Sequence, residues 1–236
     1  MQNARSLRAV LATVALLIAI AHGLPAVAQS PSLTPVTFTQ EGWRAQGRNL
    51  IYSSWRYAFN NFSFYGFARR NWLYAGYAKT MSVEGSSSAL TNLVNWFPQT
   101  GTPRSLSTTQ DFITPAPLPK ANSLAGEVVA LTMNIAFNDV RMMPRHPGYD
   151  LERFLLRRGA MKGKTVGQVL DIGNRMLGGD PPVKHGITTY QALVDIIRAI
   201  NANYEFINYS IVIDRGYLQP NRPLGRPDPP HEGQPT

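Results

Sequence analysis

The sequence predicts an α+β domain in which an aromatic-rich N-terminal β-hairpin region packs on about four main helices, followed by a disordered Pro-rich tail. Three observations predict this architecture. Aromatic runs flank a short polar turn near residue 70, apolar residues recur at helical spacing in four later segments, and proline is concentrated in the last eighteen residues. The expected divisions are a signal peptide over 1–28, a flexible lead over 29–35, one globular domain over 36–217 and the tail over 218–236.

Composition sets the first limits on function. The chain has 236 residues, of which 44% are hydrophobic and 16% charged, and this balance is typical of a folded protein with a buried core. The complete absence of cysteine excludes disulfides, thiolate metal sites and a cysteine nucleophile.

The N-terminus has the pattern of a secretory signal peptide. Arg5 and Arg8 precede an apolar run over 9–21, and Ala26-Val27-Ala28 supplies the small residues that a signal peptidase reads. The run falls short of the ~20 residues that span a bilayer as a helix, although an uncleaved membrane anchor remains an alternative. We therefore expect cleavage after Ala28 and export to the periplasm or the exterior, with no transmembrane span in the mature chain. Loss of the two arginines leaves 21 basic and 14 acidic residues, a net charge of +7.

The first predicted element of the domain is a β-hairpin. Its arms are FSFYGFA (62–68) and WLYAGYAKTMSV (72–83), and its tip is Arg69-Arg70-Asn71. In the second arm apolar residues fall on one face at a period of two: Leu73, Ala75, Tyr77, Met81 and Val83.

Four helices and one strand follow. Helical spacing over 86–97 and 124–137 predicts two helices, although the Val, Thr and Ile of the latter segment leave a strand open. Two further helices begin at Thr165 and Thr188, each with a Thr-x-x-Gln capping box, and the first of them ends at Gly178-Gly179. The segment 210–213 is a candidate last strand.

The region 43–77 is the most distinctive for binding. Its 35 residues hold twelve of the chain's 24 aromatic residues and five arginines, and they include no acid. Aromatic faces and guanidinium groups stack on sugars or bases and bind anionic groups. At the expected hairpin tip Arg69 and Arg70 are the main candidate ligand-binding residues, supported by Arg44, Arg48 and Tyr65. The alternative is that the aromatic residues of this region simply fill the core.

Evidence for catalysis is weaker. Glu127, in the expected first turn of its helix, is the one candidate general acid of a two-carboxylate hydrolase, with Asp139, Asp171 or Asp195 as partner. Only three histidines follow the signal peptide, no HExxH or Gly-x-Ser-x-Gly motif occurs, and no phosphate-binding glycine loop opens a helix. We therefore expect no metal site and no cofactor.

Five segments resemble, in order, an uncharacterised module of secreted bacterial proteins that opens with a (Y/F)TQGGW-type motif. They are VTFTQEGW, WFPQTGTP, LAGEVVALTMNIAF, TVGQVLDIGNRMLGG and LVDIIRAINANYE, which together cover most of 36–206. The opening motif departs from the pattern because Glu41 replaces its first glycine. The resemblance implies an exported bacterial protein of envelope or surface character, and it implies no catalytic activity.

The sequence thus favours a non-catalytic exported protein that binds an anionic envelope polymer, a glycan or a partner surface through the aromatic, Arg-rich hairpin. A nucleic-acid partner is not expected. Two alternatives remain: a secreted carbohydrate-active hydrolase that uses Glu127, and a structural surface subunit that self-associates through exposed aromatic residues.

Overall fold

Helices are the main regular elements of the structure, a computed structural model that describes residues 35–60, 71–112, 122–143, 150–207 and 211–221. Among these residues six α-helices occur: α1 (Gln40–Ala45), α2 (Arg48–Asn60), α3 (Ser87–Trp96), α4 (Ser123–Asp139), α5 (Val166–Gly178) and α6 (Tyr190–Asn201). Short strands complete the described fold: β1 (Trp72–Ala75), β2 (Met81–Glu84), β3 (Gln110–Phe112), β4 (Leu155–Leu156), β5 (Tyr204–Ile207), β6 (Ile211–Asp214) and β7 (Leu218–Gln219). The mixed α and β composition is confirmed.

The longest helix, α4, lies in the interior. Every residue from Ser123 to Asn138 is buried, as expected of a helix with apolar side chains on all sides. Asn122 caps its N-terminus by accepting hydrogen bonds from the backbone N–H groups of Leu124 and Ala125. Helices α1, α2, α5 and α6 and strand β1 all contact α4. The other elements are therefore arranged around this one helix, and the strand alternative for the segment is wrong.

Polar residues on α4 fix the segment that precedes α1. Asn134 accepts a hydrogen bond from Phe38 N (2.8 Å) and donates to Phe38 O (2.9 Å), while Asn138 donates to Val36 O (2.7 Å). Thr37 completes the attachment by pairing with Tyr204 at the start of β5. A buried backbone without such partners would cost free energy, so the two asparagines allow an irregular segment to lie inside the core.

Two helices precede the predicted hairpin. Helices α1 and α2 occupy 40–60, a part of the chain that the sequence marked as aromatic-rich without a predicted helix. The reason is the spacing of the buried side chains of α2, Ile51, Trp55, Ala58 and Phe59, which follows the helical period.

The hairpin in the structure lies within the predicted second arm. Strand β1 pairs antiparallel with β2, with Leu73 opposite Val83 and Ala75 opposite Met81, and β2 pairs parallel with β3. The prediction that 72–83 is one strand is wrong, because the chain reverses after Gly76, whose φ is +87°. The predicted inward face still holds for four of its five residues, since the hairpin stacks them in cross-strand pairs. The first predicted arm, 62–68, lies outside the described residues.

Two of the three predicted helix caps agree with the structure. Ser86 caps α3, and Thr165 and Gln168 form the predicted capping box of α5. The capping box predicted at Thr188 is wrong. Thr189 is the N-cap of α6, and its hydroxyl accepts from Ala192 N at 3.1 Å.

The C-terminal part of the domain pairs in two small sheets. Strand β5 pairs with β6, which confirms a strand close to the predicted 210–213, and β4 pairs with β7. Leu218 and Gln219, placed by sequence at the start of the tail, form β7, and the tail from residue 222 lies outside the described residues, as does the predicted signal peptide. None of the described helices is long and apolar enough to cross a membrane.

Candidate binding surface

The predicted binding residues fall into two groups. Arg44 lies in the last turn of α1 and Arg48 in the first turn of α2, and both are exposed. Tyr65, Arg69 and Arg70 lie outside the described residues. The described part of the predicted site is therefore helical, and it belongs to the segment that precedes the predicted hairpin tip.

Helix α2 has one buried and one exposed side. Trp55 and Phe59 pack together at a ring distance of 4.3 Å, and Phe59 contacts Phe137 of α4 at 6.1 Å. Burial of these large rings stabilises the helix on the core and fixes which residues face solvent. The exposed side carries two arginines and two tyrosines, which we call the exposed α2 face: Arg48, Tyr52, Arg56 and Tyr57.

Arginine and tyrosine side chains lie next to each other on the exposed α2 face. The guanidinium carbon of Arg48 is 5.8 Å from the centre of the Tyr52 ring, and that of Arg56 is 5.8 Å from the centre of the Tyr57 ring. Tyr52 is 39% exposed and Tyr57 54% exposed. Among the described residues the only other large apolar side chain so exposed is Val183. The aromatic rings therefore remain accessible to a ligand.

The electrostatic character of this face is positive. Helix α2 contains no acidic residue, and within the described ranges Arg44, Arg48 and Arg56 form no ion pair with a carboxylate. Unpaired guanidinium groups keep all their donors available for carboxylate or phosphate oxygens. Arg48 and Arg56 are separated by two turns, about 12 Å along the helix axis. This spacing suits an extended anionic ligand.

One contact fixes the orientation of an exposed ring. The hydroxyl groups of Tyr52 and Thr91 lie 3.2 Å apart, which joins α2 to α3. A side chain that is already held loses less conformational entropy when it binds a ligand. Tyr52 is thus the most pre-organised member of the exposed α2 face.

Glu127 is buried within the core and bonded through both oxygens. It lies beyond the first turn of α4, so the predicted first-turn position is wrong. Its Oε1 accepts from Gln40 Nε2 (2.9 Å) and Arg198 Nε (3.1 Å), and its Oε2 accepts from Asn201 Nδ2 (2.9 Å). Glu127 is 4% exposed. A carboxylate held in this way joins α1, α4 and α6, and the arrangement favours a structural role over proton transfer to a substrate.

Of the other predicted acids, Asp195 shares its partner Arg198 with Glu127, whereas Asp171 has different partners. Asp171 accepts from Tyr77 Oη (2.6 Å) and from Arg175 Nε (2.9 Å). Asp195 accepts from Gln191 and lies 3.9 Å from Arg198 Nη1. Asp139 is exposed at the end of α4. In the described ranges no three metal-ligating side chains cluster.

Sequence reasoning did not select Tyr52, Arg56 or Tyr57 as binding residues. The signal was present, because Arg48, Tyr52 and Arg56 recur every fourth residue along one edge of the buried Ile51 and Trp55 face. It was missed because no helix was predicted over 48–60.

Comparisons of this chain with family models, with curated proteins and with solved structures find no match. The family resemblance of the five sequence segments therefore stays a prediction.

Proposed function

We propose that this protein is exported and acts as a non-catalytic envelope or extracellular protein that binds an anionic polymer through the exposed α2 face. The observation that carries the proposal is the set of unpaired arginines beside exposed tyrosine rings on that helix. Export is supported by the signal-peptide pattern of residues 1–28.

The chemistry of the face favours an acidic glycan. Tyrosine rings stack on the apolar faces of sugar rings, and guanidinium groups donate paired hydrogen bonds to carboxylates. Arg44 at the end of α1 adds a third cation, and Tyr65, Arg69 and Arg70 follow α2 closely in sequence and would extend the same positive segment. A polymer can contact several such groups at once, which raises the overall affinity of individually weak contacts.

A second candidate function is self-association. Tyr52 and Tyr57 are large, exposed and on one helix, and exposed aromatic residues are frequent in protein interfaces. The two functions differ in their response to salt, because ion pairs are screened by salt whereas apolar contacts are not weakened by it. The hydrolase alternative has less support, because Glu127 is buried and ion-paired with Arg198.

The test is binding to polygalacturonate, a polymer of acidic sugars, with neutral dextran as the control polymer. We expect co-sedimentation with immobilised polygalacturonate that decreases as NaCl increases from 50 to about 500 mM. An Arg48→Ala/Arg56→Ala variant should bind at least about tenfold more weakly, since it loses two charge-assisted contacts.

The matched control is Lys79→Ala/Arg104→Ala, which removes the same charge from two loops outside α2. It should retain binding within about twofold. Equal weakening of both variants would contradict a site on α2, and a mass that rises with protein concentration regardless of salt would favour self-association. Polygalacturonate hydrolysis that disappears in Glu127→Gln at unchanged stability would instead support the hydrolase.

A further inference from the structure

A second group of unpaired cations lies on the loop between β4 and α5. The 157–164 loop (RRGAMKGK) contains Arg157, Arg158, Lys162 and Lys164, and no acidic residue occurs from 153 to 170. Among the described residues none of the four forms an ion pair with a carboxylate. Four of the eight residues of this loop are therefore cationic, and no acidic residue in the neighbouring sequence offsets their charge.

The backbone of this loop is held by its own hydrogen bonds. Leu156 N donates to Lys164 O (2.9 Å), and Gly163 N donates to Leu156 O (2.8 Å). Met161, in the middle of the loop, is 2% exposed and packs in the core. Gly159 and Gly163 have φ values of +86° and +83°, which glycine adopts without strain. The loop thus has one defined backbone conformation, in which Arg157, Arg158 and Lys162 are exposed and Lys164 is partly exposed.

Arg158 is held in place more firmly than an ordinary surface arginine. Its Nη2 donates to Arg215 O (3.4 Å), and its guanidinium carbon lies 5.6 Å from the centre of the Tyr217 ring. The nearby carboxylate of Glu205 is already paired with Arg215 at 2.7 Å. The remaining donors of Arg158 are therefore free for an external anion.

We propose that the 157–164 loop binds a phosphate monoester. Such a group carries a charge of about −1.5 to −2 at neutral pH and three acceptor oxygens, which match several clustered cations better than a single carboxylate does. The arginines offer forked donors, the lysines offer point charges, and the fixed loop lowers the entropic cost of bringing them together. A soluble sugar phosphate and a lipid headgroup share this chemistry. The site is separate from the exposed α2 face and does not depend on it.

The experiment measures binding to two probes at constant ionic strength. Calorimetry with glycerol 3-phosphate measures the binding of a soluble phosphate ester. Sedimentation with phosphatidylcholine vesicles that contain phosphatidic acid measures the binding of a lipid headgroup. Saturable binding to either probe, with methyl sulfate and pure phosphatidylcholine vesicles as blanks, is the expected result. Binding to vesicles alone would assign the lipid source, and binding to glycerol 3-phosphate would assign the soluble one.

Two variants of equal charge locate the site. Arg157→Ala/Lys162→Ala, at two exposed positions, should weaken binding at least about tenfold, and Arg48→Ala/Arg56→Ala should leave it within about twofold. Arg157→Gln/Lys162→Gln, which keeps longer side chains, repeats the test should the first variant unfold. Absence of binding to both probes, or equal weakening by the loop and α2 variants, would overturn the proposal, whereas failure of polygalacturonate binding would leave it intact.

Discussion

Arg198 Nε lies 3.1 Å from Glu127 Oε1, although the Glu127 side chain is only 5% exposed and that of Arg198 is 51% exposed. A half-exposed arginine on α6 thus pairs with a carboxylate inside the core. Gln40 and Asn201 donate the other hydrogen bonds to the same carboxylate. Three helices, α1, α4 and α6, are therefore joined at one buried charge.

Loss of this carboxylate should destabilise the fold. Glu127→Ala removes the carboxylate acceptor of Gln40 and Arg198 and leaves Asn201 only the longer bond to the backbone oxygen of residue 127, so we expect the free energy of unfolding to fall by about 2–4 kcal/mol. The matched control is Glu205→Ala, which removes the more exposed Glu205–Arg215 pair and should cost below about 1 kcal/mol. Urea unfolding followed by circular dichroism gives both values. Equal losses in the two variants would contradict a structural role for the Glu127 contacts.

The absence of a side chain at Gly126 leaves space for Gln40, which donates a hydrogen bond to Glu127. A Cβ atom at this position would lie 2.2 Å from Gln40 Oε1 and 2.8 Å from Gln99 Cβ. We therefore expect Gly126→Ala to destabilise the protein by about 1–3 kcal/mol, despite the higher helix propensity of alanine. In a Gln40→Ala background the same change should cost less, because one of the two clashing side chains is gone. Strictly additive losses in the double variant would refute this steric explanation.

Glu152, whose side chain lies next to Gly167 of α5, should make the stability of the fold depend on pH. Burial, followed by repulsion from Asp139 and Asp150, raises the pKa of Glu152 above its usual value of 4.5. The folded protein then binds more protons than the unfolded chain in the range just above pH 4.5. Stability from this group is consequently highest below that pH and decreases as pH rises through the folded pKa.

Glu152→Gln should remove this dependence. At pH 7 the variant should be more stable than the original protein, by less than about 1 kcal/mol since the residue is partly solvated. At pH 4 the two proteins should differ less. Thermal unfolding at both pH values measures the difference, and a variant that is less stable at pH 7 would show that the charge of Glu152 is favourable.

Local patterns predicted those elements whose buried face repeats with one period. The inward positions of α5, such as Val169, Leu170 and Met176, follow the helical period and are buried as expected. No helix was predicted over the α2 segment, whose Tyr, Trp and Phe do not favour one, and the packing of Phe59 on Phe137 of α4 holds it there.

Long-range contacts were beyond sequence reasoning. Gln40 and Glu127 are 87 residues apart, and nothing in their local sequence indicates that they form a hydrogen bond. The composition did mark 43–77 as an Arg- and aromatic-rich segment, but the faces of α2 could be assigned only after its helical conformation was known. Composition therefore located the candidate surface, and backbone conformation determined which side chains form it.

The start of α6 allows a direct test of a one-residue difference between sequence and structure. The sequence offers Thr188 and Thr189 as N-caps, and only the latter bonds a backbone donor, Ala192 N. Thr189→Ala should therefore cost about 1 kcal/mol of unfolding free energy, whereas Thr188→Ala should be close to neutral. Thr165→Ala, which removes the capping box of α5, serves as a positive control of similar size. A larger loss in Thr188→Ala than in Thr189→Ala would restore the capping box with Gln191 and place the helix start one residue earlier.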